Sequence, residues 1–112
     1  MIAQFTISLP PSLNNIFFNK PHGGRAKTTA YKNWCEQTAW EIRTQKVPAI
    51  EGNVAVHVLI ERPNAQSDID NRLKPIFDAM QKAGVLKNDR QIVELHARWE
   101  EIKGAQIVVR AA

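Results

Sequence analysis

The sequence predicts one small α/β domain, α+β in its segregation, with a mixed sheet and two helices. Three observations predict it. Runs of period-two alternation occur near both ends and in the middle, two stretches of helical periodicity lie between them, and 112 residues suit one compact unit. The expected order is β-α-β-α-β-β across a single domain of residues 1–112.

Residues 2–9 alternate, with Ala3, Phe5, Ile7 and Leu9 on one face, and Pro10-Pro11 stops the strand. Residues 12–28 read as a loop broken by Pro21, Gly23 and Gly24. Thr28 or Thr29 caps a helix over about residues 30–45, whose face is Tyr31, Trp34, Cys35, Thr38 and Ile42. Residues 53–61 form a strand with Val54, Val56, Val58 and Ile60 on one side. A second helix over residues 69–83 carries the stripe Ile69, Leu73, Ile76, Phe77, Met80 and Ala83. Asp68 stands at its N-cap position and Gly84 at its C-cap. Pro75 implies a kink or a later start. Residues 91–102 place Val93, Leu95, Ala97 and Trp99 on one face, and Lys103-Gly104 turns into 105–110 as an antiparallel hairpin.

Composition narrows the function classes. At 44% hydrophobic and 23% charged residues, the chain has the make-up of a folded soluble domain rather than a disordered one. A net charge of +4 favours a polyanionic partner. One cysteine, Cys35, builds neither an internal disulfide nor a cysteine-rich zinc site, so it reads as a small buried hydrophobe in a reducing cytoplasm. No segment has the apolar length to span a membrane, and the N-terminus lacks the pattern of a signal peptide.

The chemistry concentrates in residues 67–89. Two acids two residues apart point about 200° apart on a regular helix. Asp68 and Asp70 converge only if Asp68 is extended, or caps the helix, while Asp70 sits in the first turn. Asp70 and Lys74 are four apart and lie side by side. Asp89 joins them if the loop after Gly84 folds back. Three carboxylates form a hard oxygen shell for Mg²⁺ or Mn²⁺, suited to phosphodiester hydrolysis, with Lys74 meeting charge on the phosphate. The plainer reading is an N-cap at Asp68, a surface ion pair between Asp70 and Lys74, and a turn residue at Asp89. Asp78 reads as a surface charge, two turns from Asp70.

The loop carries Lys20, His22, Arg25 and Lys27 with no acid between Pro10 and Cys35. These are candidate phosphate contacts, the alternative being a solvated loop. Asn14 and Asn15 either contact nucleic acid or brace the loop. His57 and His96 fall in strands and read as structural.

Taken together, Pro10-Pro11-Ser12 with Asn14-Asn15, the block Asp68-Ile69-Asp70-Asn71 with Lys74, Phe77-Asp78-Ala79, Lys82-Ala83-Gly84, and Asn88-Asp89 with Gln91-Ile92-Val93 resemble the RusA family of Holliday junction resolvases. The resemblance spans nearly the whole chain. It implies a Mg²⁺-dependent endodeoxyribonuclease, a homodimer without small-molecule cofactor, that nicks four-way DNA junctions symmetrically. It further implies a cytoplasmic protein, bacterial or phage-encoded. Asp68, Asp70 and Asp89 match the family's metal acids, and Lys74 its required lysine. Asn71, inside the same block, joins the DNA-contact candidates. Asn88 departs from members with a further aspartate there, and the early loop differs in length, which affects DNA sequence preference rather than the reaction. Three other functions are open: a non-catalytic branched-DNA binder, a less selective structure-specific metal nuclease, and an RNA-directed metal nuclease.

Overall fold

A computed structural model of the chain describes residues 2–112. In chain order these form β1 (Ile2–Ile7), a 3-10 turn (Leu13–Asn15), β2 (Phe17–Asn19), β3 (Arg25–Lys27), α1 (Thr29–Thr44), β4 (Val54–Glu61), a 3-10 turn (Ile69–Arg72), α2 (Leu73–Ala83), a 3-10 turn (Asp89–Gln91), β5 (Ile92–Glu100) and β6 (Ala105–Ala111). The main sheet has the order β1-β6-β4-β5, and β2 and β3 make a separate two-stranded hairpin. The class is the α+β arrangement that the periodicities predict.

Alternation decides which side of the sheet is covered. Ala3, Phe5 and Ile7 of β1, Val54, Val56, Val58 and Ile60 of β4, and Ala105, Ile107 and Val109 of β6 share one buried cluster. Ile42 of α1 and Ile76, Ala79 and Met80 of α2 close it from above. Burying one such aliphatic side chain contributes about 1.5–3 kcal/mol. The opposite face carries Gln4, His57, Leu59, Gln106 and Val108 around an open cleft.

The strands pair differently from the expected terminal hairpin. β5 runs parallel to β4, whereas β6 runs antiparallel to β4 on its other side and antiparallel to β1. β5 and β6 therefore never touch as partners. The physical reason lies in their patterns. β6 buries Ala105, Ile107 and Val109 completely and suits the middle of a sheet. β5 carries Glu94, His96 and Arg98, and leaves Val93 and Leu95 exposed, as an edge strand can. The chain crosses the end of β4 through residues 101–104. There Glu61 N–H donates to the Gly104 carbonyl at 2.8 Å, and Gly104 N–H donates to Glu61 Oε1 at 2.8 Å.

The helix ends follow local chemistry. The Thr28 hydroxyl accepts from Tyr31 N–H at 3.1 Å and starts α1. Gly84, at φ +83°, ends α2 in the left-handed conformation. α2 begins at Leu73, later than the stripe suggests, because residues 69–72 wind as a 3-10 turn. Pro75 is thereby the third residue of α2, where its missing N–H has no helical partner to lose. Asp68 occupies the expected N-cap position, at the head of that 3-10 turn, and is extended at φ −97° and ψ 131° with Asp70 in the first turn; only a side-chain cap hydrogen bond is not made.

The predicted open loop over 12–28 is also corrected. Ser12 caps its 3-10 turn, and the β2–β3 hairpin closes with Lys20 N–H donating to the Gly24 carbonyl at 2.9 Å. The Arg25 guanidinium sits 4.5 Å from the Phe17 ring centroid. Fully buried Ile16, packed with Tyr31 and Cys35, anchors the base of the hairpin.

Gly104 has φ +68°, and a Cβ there would run into the Ile7 carbonyl oxygen. Gly104→Ala is expected to destabilise the protein by more than about 2 kcal/mol. A thermal melt should show a midpoint at least about 8 °C lower; an unchanged midpoint would mean the crossing is not fixed at this glycine.

Candidate active site

The site is built where the 69–72 turn, the start of α2 and the 89–91 turn meet. Backbone capping fixes Asp89. Asn88 Oδ1 accepts from Arg90 N–H at 2.8 Å, and Gln91 Oε1 accepts from the Lys87 and Asn88 N–H groups at 2.8 and 3.2 Å. Gln91 Nε2 donates in turn to the carbonyls of Ile50 and Gly52, each at 2.8 Å. Asp89 N–H donates to Gln81 Oε1 of α2 at 3.3 Å. Val85 and Leu86, both buried, pull the intervening loop onto the core. Asp89 thus returns to the start of α2, where its Oδ2 lies 2.9 Å from Lys74 Nζ.

Lys74 does not pair with Asp70. Its partners are Asp89 and, at 3.2 Å, Asp78. The expected neighbour relation fails because Asp70 lies in a 3-10 turn with about three residues per turn, whereas Lys74 already lies in the α-helix, whose i,i+4 partner is Asp78. The surface charge expected at Asp78 is likewise corrected. Its side chain is only 12% exposed, Tyr31 Oη donates to it at 2.5 Å, and Lys27 Nζ lies 3.8 Å away. Lys27, Asp78, Lys74 and Asp89 form a chain of alternating charge from the hairpin base to the 89–91 turn.

The electrostatics fix the protonation of the chain's donors. The hydrogen bond that Lys74 donates to Asp89, opposed by some desolvation and helped by the charge of Asp78, holds the Lys74 ammonium above its ordinary range. Lys74 is a standing cation near neutral pH, not a base. Burial, then the bond to Asp78, pushes the Tyr31 phenol far above its ordinary value, so it remains a donor. Burial also raises the Cys35 thiol, in keeping with an inert packing residue.

Asp68 and Asp70 are exposed, and neither carboxylate accepts a hydrogen bond or ion pair among the described residues. Asp68, Asp70 and Asp89 are not gathered within 4.8 Å of one another; among the described residues only His57, Glu94 and His96 form such a group. An oxygen-only donor set with two unpaired carboxylates fits a hard divalent cation.

The other candidates surround this corner. The Leu13–Asn15 turn lies against the 69–72 turn, and Arg72 Nη1 donates to the Pro10 carbonyl at 2.6 Å, tying the two segments. Asn14 and Asn15 are exposed, and their side chains, like that of Asn71, make no hydrogen bond among the described residues. Lys20, His22 and Arg25 project from the exposed hairpin, with Lys27 at its base. Phe77 is half-buried against the core. The sequence reading missed Asp78 as a partner of Lys74 and Tyr31 as the donor to Asp78. The four-residue spacing of Lys74 and Asp78 was a signal for one; nothing marked the Tyr31 hydroxyl, which lies within an apolar stripe.

Comparison with known proteins places the chain among DNA-cutting enzymes. A family model described as "Endodeoxyribonuclease RusA" matches residues 9–110, and the chain belongs to that family. It is similar to a protein of Aquifex aeolicus (strain VF5) named "Crossover junction endodeoxyribonuclease RusA". The two are 37% identical over 111 residues, covering 96% of this chain and 87% of the relative. No helix is long and apolar enough to cross a membrane among the described residues.

Tyr31→Phe removes one donor from a nearly buried carboxylate. It is expected to cost about 1–2 kcal/mol in denaturant unfolding, and no loss of stability would remove Tyr31 from the network.

Proposed function

We propose that residues 1–112 form one endonuclease domain that resolves four-way DNA junctions by paired, symmetric nicks. The observation that carries this reading is Lys74 held 2.9 Å from Asp89 beside the turn that bears Asp70, in a chain of the RusA family. Asp68, Asp70 and Asp89 are the residues that would hold Mg²⁺, with Mn²⁺ as a substitute. When bound, the ion supplies charge withdrawal from the phosphoryl oxygens and an activated water.

The remaining roles belong to the chain's own groups. The Lys74 ammonium offsets negative charge building on the scissile phosphate. Asp78 and Tyr31 hold that ammonium in place and restrict its rotamers. The hairpin presents Lys20, His22, Arg25 and Lys27 to flanking phosphates, and its glycines let the backbone approach closely. Asn14, Asn15 and Asn71 offer uncommitted amides next to the acidic turn, suited to sugar and phosphate oxygens. Two symmetric cuts require two sites, so the working unit is a homodimer. The unpaired edge of β5, with exposed Val93 and Leu95, supports such an assembly. The domain acts in the cytoplasm and uses no small-molecule cofactor.

With Mg²⁺, the purified protein should nick a synthetic four-way junction at paired positions and spare linear duplex. Asp70→Asn should cut at least about 100-fold more slowly while still binding the junction. Binding without cleavage in the parent protein would instead favour a branched-DNA binder, and equal cutting of linear duplex would remove the junction preference.

Replacing Lys20 and Arg25 together by Ala should weaken junction binding. The slope of log K against log salt should become shallower by about two. An unchanged slope would take the hairpin out of the DNA contact.

A further inference from the structure

The uncovered face of the sheet carries a second cluster with no part in the site above. Parallel pairing of β4 and β5 sets His57 directly beside His96. Their rings stack with centroids 4.6 Å apart and planes 17° from parallel. Glu94, two residues before His96, shares its face, and Glu94 Oε2 lies 3.2 Å from His96 Nε2. One ligand atom from each of His57, Glu94 and His96 lies within 4.8 Å of the other two. The cluster opens onto a cleft of about 750 Å³.

We infer that His57, Glu94 and His96 form a binding site for a transition-metal ion of the Zn²⁺ class. Two imidazoles and one carboxylate are the ligands of such ions, and they differ in kind from the oxygen-only set that suits Mg²⁺. The His57 ring makes no hydrogen bond among the described residues, and His96 has only Glu94. One nitrogen of each ring already lies within 4.8 Å of the other and of a Glu94 oxygen, and three protein ligands leave a coordination position for water. Arg110 already orients the carboxylate. Its Nη2 is 2.8 Å from Glu94 Oε2, which leaves Oε1 without a partner of its own in the cluster. This ion pair reaches from β5 to β6 across fully buried Ala55, the registered partner of both residues. A larger residue at 55 would push Glu94 and Arg110 apart. An ion held here would fasten the edge strand, which begins just after Asp89, to the centre of the sheet.

The test uses the metal-free full chain in excess Mg²⁺, titrated with Co²⁺ and followed by its visible absorption, then with Zn²⁺ in thermal melts. The expected result is one Co²⁺ per chain, and a melting point raised by about 5 °C with Zn²⁺. His96→Gln and His57→Gln should each weaken Co²⁺ uptake at least about 10-fold. His96 is exposed, so His96→Gln is expected to fold and to cut junctions with Mg²⁺ as the parent does. Asp70→Asn should leave uptake unchanged. No stoichiometric uptake would overturn the assignment. So would uptake that survives both histidine substitutions, or uptake lost in Asp70→Asn, which would place the ion in the acidic site.

Discussion

A sheet covered on one face must sort its residues by side, and this constraint governs everything else in the molecule. Val54, Val56, Val58 and Ile60 face the helices, so His57 and Leu59 face solvent. The same rule, applied to β1 and β6, sends their apolar sets to the core that β4 shares. Slipping any strand by one residue would exchange the two faces. The acidic corner and the histidine cluster consequently sit on opposite sides of the sheet, and each keeps its own chemistry.

On the helix side, electrostatics replaces packing as the organiser. Asp78 is nearly buried, and a carboxylate there is tolerable only with partners. Tyr31 supplies a donor from α1, Lys74 a charge from α2's own first turn, and Lys27 a weaker contact from the hairpin. Three separate segments therefore converge on one side chain. Lys74, drawn to it, is held in reach of Asp89. The arrangement fixes a cation beside the acids at the cost of only one nearly buried carboxylate.

What was legible in the sequence was what depends on neighbours along the chain. The face of β1, the Thr28 cap and the Gly84 stop follow from local periodicity and local hydrogen bonds. Strand partnership does not. β5 and β6 look like a hairpin because four residues join them, yet β6 gains more apolar contact between β1 and β4. The three-residue strands β2 and β3 are too short for alternation to be read. An apolar stripe fits a 3-10 turn nearly as well as an α-helical one over four residues, so the late start of α2 was hidden. At the site, the D-x-D-N-x-x-K block was visible as a pattern. The burial of Asp78 was not, since it depends on a hydroxyl 47 residues away.

The central position of β6 has a consequence for how the chain acquires its shape. Of the six strands it is synthesised last, yet it alone bridges β1 to β4. Before it arrives, β1 has no partner in the main sheet, and the β4–β5 pair is exposed along one flank. The folding reaction must therefore close contacts between the two extremes of the described sequence, which is a slow class of search. A partly made chain leaves the flanks of β1 and β4 that β6 will join unpaired until the last strand is in place.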